Sequence, residues 1–100
     1  MVQLKPIDVA GQTVLGIEVA LPKTRLLAIA TEKGYIMCGA LDVALLNERL
    51  ADRGILAGRA VGVRSLDDLL AAPLESVTHA AREVGIHPGM TGQEALLKMM

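Results

Sequence analysis

The sequence has no phenylalanine and no tryptophan, and Tyr35 is its one aromatic residue. Nucleic-acid bases therefore have nothing to stack on. Ten basic residues against eleven acidic ones leave no basic stripe for a phosphate backbone. Nucleic acid is not an expected partner. Cys38 is the only cysteine, so an internal disulfide is excluded and a reducing compartment, the cytoplasm, is expected. Charges interrupt every apolar run well short of the roughly 18 residues that a membrane span needs. The opening Met-Val-Gln-Leu-Lys-Pro lacks the charged lead, apolar core and cleavage site of a secretory signal. Neither membrane insertion nor export is expected.

What the chain does have is a surplus of small and aliphatic residues: 14 Ala, 16 Leu and 10 Gly among 100 residues. That excludes disorder, and the length suits one domain with one core. The first forty residues read as strands. Thr13 to Leu21 alternates, with Thr13, Leu15, Ile17, Val19 and Leu21 on one face and Val14, Gly16, Glu18 and Ala20 on the other. Val2 to Val9 changes apolar phase around Pro6, which predicts an edge strand or a bulge there. Ala10-Gly11-Gln12 and Pro22-Lys23 fit the turns on either side of the second strand. Arg25–Thr31 and Tyr35–Cys38 form a second hairpin, with Gly34 read as a positive-φ turn residue. Leu26–Ala30 and Ile36–Cys38 are apolar on both faces, so helices or another subunit should cover each side.

Gly39 to Arg53 reads as the main helix, with Leu41, Val43, Leu46 and Leu50 on its apolar face and Gly54 as its stop. Ile55–Val63 is a fifth strand, whose Leu56, Gly58, Ala60 and Gly62 face should admit a close neighbour. Ser65 caps a short helix, Pro73 starts another that runs to Val84, and Thr91-Gly-Gln-Glu94 is a capping box opening the last. The expected fold is α+β in a single domain: an N-terminal antiparallel β-meander, a βαβ unit with parallel strands, and three short C-terminal helices.

Two blocks, Gly34-Tyr-Ile-Met-Cys-Gly-Ala-Leu-Asp-Val-Ala-Leu-Leu-Asn47 and Gly58-Arg-Ala-Val-Gly-Val-Arg64, resemble the YunC-like family of small bacterial and archaeal domains of unknown function. The likeness runs over essentially the whole chain. It implies an α+β domain whose N-terminal β region, residues 1–39, builds a homo-oligomer, a tetramer. It carries over no catalytic residue.

The parallel strand pair brings Cys38 and Gly39 to the same sheet edge as Arg64 and Ser65, with Asp42 close by. Ligands of α/β sheets tend to bind at such an edge, and an anion would be favoured there. Two readings follow. One is a homo-oligomer that binds a small, anionic ligand at that edge. The other is a cysteine-dependent acyl or thiol transferase with Cys38 as nucleophile and Arg64 stabilising an oxyanion. Against the second stands the ordinary fate of a cysteine ending an apolar strand, which is burial as an inert core residue. Arg59, between Ala57 and Val61, should sit at an exposed edge or meet an acid across an interface. Glu75, His79 and Glu83 recur at i,i+4, better read as a solvated helix face than as metal ligands. His87, before Pro88, is a loop residue and the other candidate base for Cys38. No Walker A, GxGxxG, GxSxG, HExxH or CxxC motif occurs, so neither a cofactor nor a metal is expected.

Overall fold

The computed structural model describes residues 1–39, 41–48 and 53–100. Along the chain run β1 (Val2–Val9), β2 (Gln12–Leu21), β3 (Thr24–Ala30), β4 (Gly34–Met37), α1 (Val43–Glu48), β5 (Leu56–Arg59), α2 (Leu66–Ala71), β6 (Ser76–Val77), α3 (His79–Glu83) and α4 (Gly92–Met99). The strands form one sheet in sequence order, antiparallel throughout except for the parallel pair β4 and β5. This is an α+β fold with an N-terminal meander and a βαβ unit. No helix among the described residues is long and apolar enough to cross a membrane.

Turn chemistry sets the meander. Ala10 and Gly11 both have positive φ (52° and 83°), and Val9 pairs directly with Gln12. This two-residue turn matches the natural twist of the flanking strands. Pro6 lies in β1 at the sheet edge, in unbroken register opposite Leu15, so no bulge is present. The apolar phase changes there because the chain changes which face it makes apolar. Val2 and Leu4 point to one side of the sheet, Ile7 and Val9 to the other.

The pleat thus defines two faces. The inner one carries Val9, Val14, Leu27, Ile29, Ile36, Cys38 and Ala60, all buried in the main core together with Leu66 and Leu69 of α2 and Leu96 and Met99 of α4. The outer one carries Val2, Leu4, Leu15, Ile17, Val19, Leu21 and Leu26, none of them buried. Leu4 is 63% exposed, Val2 60%, Leu21 46% and Leu15 41%. The cleanest apolar alternation in the sequence therefore points away from the core. Its opposite face at the far end of the meander is polar, where Lys5 and Arg25 both pair with Glu18. Surface area follows suit: 5857 Å², against about 5,400 Å² for a compact monomer of this mass.

Several elements differ from their sequence expectation. The helix expected over Gly39–Arg53 begins at Val43, because the Asp42 carboxylate accepts the Leu45 amide hydrogen bond (3.0 Å) and so sets the start. Its expected continuation through Arg49, Leu50 and Asp52 lies outside the described residues. β5 ends at Arg59 rather than Val63, and Gly62 turns with φ 74°. Gly34 does not have positive φ. It is the buried first residue of β4, where an added Cβ would stand 2.5 Å from the Leu56 carbonyl oxygen.

The segment from Pro73 to Val77 is extended, not helical. Its amides bond across the fold, Leu74 N–H to Met90 O and Glu75 N–H to Arg59 O. Leu74 lies over Gly58, whose lack of a side chain leaves that space open. α3 starts only after its N-cap Thr78, which is 2% exposed. Its hydroxyl donates to Ile55 O (2.6 Å) and accepts from the amides of Ala57 (3.3 Å) and Ala81 (3.2 Å). One buried hydroxyl thus joins β5 to the helix start. Ser65 and Thr91 cap α2 and α4 as the sequence suggests, the latter with the full capping box.

Gly34→Ala is expected to lose about 1–3 kcal/mol of stability, because backbone must move to admit the methyl group. Gly39→Ala, whose Cβ would approach Arg59 no closer than 3.6 Å, should stay within about 0.5 kcal/mol of the parent. Urea unfolding of the pair checks both. The hydroxyl and amide of Thr91 hold the Glu94 carboxyl below its ordinary pKa. The folded state therefore binds that proton less readily than the unfolded chain. The stabilisation is present above the ordinary carboxylate range and is lost as pH falls through the lowered value. Thr91→Ala should cost about 1 kcal/mol at neutral pH and flatten this acid-side decline in thermal melts.

Candidate functional site

The carboxyl ends of β4 and β5 lie side by side, and the features beyond them occupy two separate places. On the outer side, α1 faces the segment from Glu75 to Arg82 across a groove of about 680 Å³. Gly39, Asp42 and Asn47 stand on one wall, Arg59 and Glu75 at the base, and His79 and Arg82 on the other wall. Arg59 organises it. Its Nη1 pairs with the Glu75 carboxylate (2.5 Å), while Nε (3.3 Å) and Nη2 (3.1 Å) both donate to the Gly39 carbonyl. One guanidinium thus ties the loop after β4 to the segment entering β6. Its planar fork of donors suits this double grip. The hydroxyl of Ser76 and then Arg59 hold the Glu75 carboxyl below its ordinary pKa, so it is an acceptor at neutral pH. Asn47 accepts the His79 amide hydrogen bond (2.9 Å) and joins the two walls.

Arg59 therefore meets its acid within the chain, and no interface is needed to neutralise it. Glu75 is not on a helix with His79 and Glu83, so the supposed i,i+4 line does not exist. No group of three or more His, Cys, Asp or Glu suited to a metal ion occurs among the described residues. Asp42 is exposed beside the groove, with its carboxylate engaged as the α1 cap.

Arg64 lies elsewhere. It lines a second concavity, of about 770 Å³, with Lys23, Thr24 and Arg25 of the β2–β3 hairpin. Ser65 is used as the α2 cap, accepting from Asp68 N–H at 3.1 Å. Cys38 belongs to neither place. It is 8% exposed, faces the inner core, and its Sγ accepts the Leu27 amide hydrogen bond at 3.5 Å. It also precedes α1 by several residues and so does not stand at that helix's start. His87 is exposed, its Nδ1 3.1 Å from the Pro88 carbonyl.

The expected convergence of Cys38 and Gly39 with Arg64 and Ser65 thus resolves into a polar groove, a basic cleft and a buried thiol. Sequence reasoning missed Asn47, His79 and Arg82 as groove residues. The odd placement of Arg59 on an apolar strand is the signal that could have found them.

Residues 37–99 match a family model described as a domain of unknown function, DUF1805. The chain is 65% identical over 100 residues to the uncharacterized protein YunC of Bacillus subtilis strain 168, covering all of this chain and 99% of that protein. It is also similar to the crystal structure of a protein of unknown function from Thermoplasma acidophilum. There the TM-score is 0.88 and the identity 33%, over 100% of this chain and 94% of that one.

Iodoacetamide should leave Cys38 unmodified in the native protein from pH 7 to 9 and react only as the fold opens in urea. Rapid labelling of the folded protein, read by mass spectrometry, would restore a reactive thiol.

Proposed function

The chain belongs to the DUF1805 family, whose function is unknown, and from that premise we propose a homo-oligomer that binds a small polar ligand. Its copies join through the outer face of β1, β2 and β3. Each then presents the groove at the carboxyl ends of β4 and β5. The observation that carries this reading is the open apolar face itself.

The magnitudes favour a broad contact. Association costs on the order of 4–15 kcal/mol in lost freedom. Covering one large aliphatic side chain returns roughly 1.5–3 kcal/mol. A single leucine cannot hold two copies together, but Val2, Leu4 and Leu15 buried at once, with the half-buried Ile17, Val19 and Leu26 beneath them, can. At usual strand spacings three such strands span about 400 Å² of flat sheet before side-chain relief is counted. That is already the scale of the largest apolar patches on ordinary monomers. The only charge on this face of the three strands is Asp8, near its end. Lys5, Glu18 and Arg25 are on the opposite side, where they keep that side in water.

The ligand half of the reading rests on position and polarity. The groove stands outside the carboxyl ends of parallel strands, where backbone groups and loops converge. Arg82 and His79 supply positive or donor groups, and Glu75, Asn47 and Ser76 supply acceptors. Such a rim suits a small polar molecule carrying a carboxylate. The buried thiol supports no nucleophilic role for Cys38.

At micromolar concentration the protein should sediment as an oligomer. Leu15→Lys combined with Leu4→Lys should give a monomer with unchanged helical circular dichroism, since neither side chain contributes to the core. A monomeric wild type would end the assembly reading. Succinate, used as an anionic probe, should shift the amide resonances of Arg59, Ser76 and His79. Silence there would remove the ligand half and leave assembly standing.

A further inference from the structure

The second concavity departs from the mixed polarity of the groove. It is bounded by the end of β2, the Pro22–Lys23 turn, the start of β3 and the loop before α2. Lys23, Arg25 and Arg64 line it, and no carboxylate does. Its remaining lining is Ala20, Leu21, Thr24 and Val63, an apolar floor with one hydroxyl. In a chain of net charge −1 with only ten basic residues, three in one acid-free hollow is a local reversal of sign. One nearby acid, Glu18, lies outside the lining and is shared by Arg25 (3.5 Å) and Lys5 (3.8 Å), so Arg25 is partly neutralised. The Asp68 carboxylate accepts the Arg64 amide hydrogen bond at 3.1 Å. Among the described residues, neither Lys23 nor Arg64 has a carboxylate within ion-pair distance.

The backbone at Lys23 adds an independent observation. Leu21 pairs directly with Thr24, so Pro22 and Lys23 form a two-residue turn, and Lys23 has φ 64°. Proline first and positive φ second is the pattern of a type II turn, whose second position is ordinarily glycine or asparagine. A lysine there accepts left-handed backbone that glycine would adopt freely. Ala10 takes the same left-handed backbone in the β1–β2 turn, so what distinguishes Lys23 is where its side chain stands. Here the turn places the lysine at the mouth of the basic hollow.

We propose that this cleft, between the β2–β3 hairpin and the loop preceding α2, is a binding site for a small phosphoryl-bearing molecule, held by Lys23, Arg25 and Arg64. Three cations facing one space match a multiply charged anion better than a lone carboxylate. The arginines offer forked donors to phosphoryl oxygens, and Lys23 contributes a mobile point charge. The apolar floor accommodates the body of an organic phosphate. This site is separate from the polar groove and does not depend on the ligand assigned there.

Pyrophosphate is the probe, titrated calorimetrically into the full-length protein in its native assembly state, with sodium chloride and acetate at matched ionic strength as controls. Pyrophosphate should bind saturably and more tightly than either control. Lys23→Gly and Arg64→Gln should each weaken it at least tenfold. Lys23→Gly is the sharper variant because glycine suits φ 64°, so its melting temperature should not fall while its affinity does. Arg64→Gln retains the backbone bond to Asp68, which keeps the α2 start intact. Glu83→Gln, exposed on α3 and outside the cleft lining, should leave binding unchanged. Pyrophosphate indistinguishable from acetate, or full affinity in the Lys23→Gly protein, would overturn the assignment. So would binding to phosphatidylglycerol vesicles with no response to free pyrophosphate.

Discussion

A six-stranded sheet presents two faces, and nearly everything after β5 is spent covering one of them. That constraint arises on the inner face, where the chain packs too closely to be shared out. Leu74 fills the space over Gly58, and Gly92, at the start of α4, lies so near Leu69 and Ile36 that a side chain there would collide with backbone. Close approach turns small residues into dispersion contacts along the whole interface, which is how a core without phenylalanine or tryptophan reaches density. The same closeness leaves α2, α4 and the extended Leu74 segment with no reach toward the other side. Among the described residues, α1 and the Glu75–Arg82 segment turn that way, and they meet the sheet at β5.

The outer face of β1 to β3 is therefore left without cover from the described residues of this chain. Residue type, not just position, sets this face apart from a solvated one. Leu4, Leu15 and Leu21 stand where a solvated sheet would carry threonine, lysine or glutamate. The ionic trio of Lys5, Glu18 and Arg25 occupies the side where alternation alone would place a core. Beyond the start of α2 the polarity of the sheet is thus inverted relative to its helix-covered part.

That inversion marks what was legible in the sequence. The period-two pattern of Thr13 to Leu21 identified a strand and its two faces correctly, since pleat follows from spacing. Spacing cannot say which face the rest of the chain will choose. The element order and the parallel β4–β5 pair were readable for similar local reasons, as were the caps at Ser65 and Thr91. The stretch from Pro73 to Val77 was not. Proline is as acceptable before a strand as at a helix start. What decides for extension is long-range: Leu74 over Gly58, and Thr78 bonded to Ile55 and Ala57. Glycine at position 34 was recognised as necessary but for the wrong reason, because a steric demand from Leu56 and a demand for positive φ leave the same letter. At the site, the sheet edge was found from topology, while Asn47, His79 and Arg82 depended on that same misread segment.

With the helix-covered part of one face used for the core and the other face apolar, the concave polar sites lie at the rim of the sheet. The β1 side of that rim is a lone edge strand containing Pro6, which offers few inward-facing groups. The carboxyl ends of β4 and β5 differ, because a parallel pair must send both connections away from the same edge and so opens room beside them. Arg59 makes that room permanent by bonding Gly39 on one side and Glu75 on the other. Arg64, five residues further on, stands at the end of the sheet beside the hairpin carrying Lys23 and Arg25. A single strand end thereby feeds two concavities of opposite character, one with both signs of charge and one purely basic. Cys38 ends the neighbouring strand but points inward, so its chemistry is sealed beneath Leu27 while the charged groups around it remain accessible.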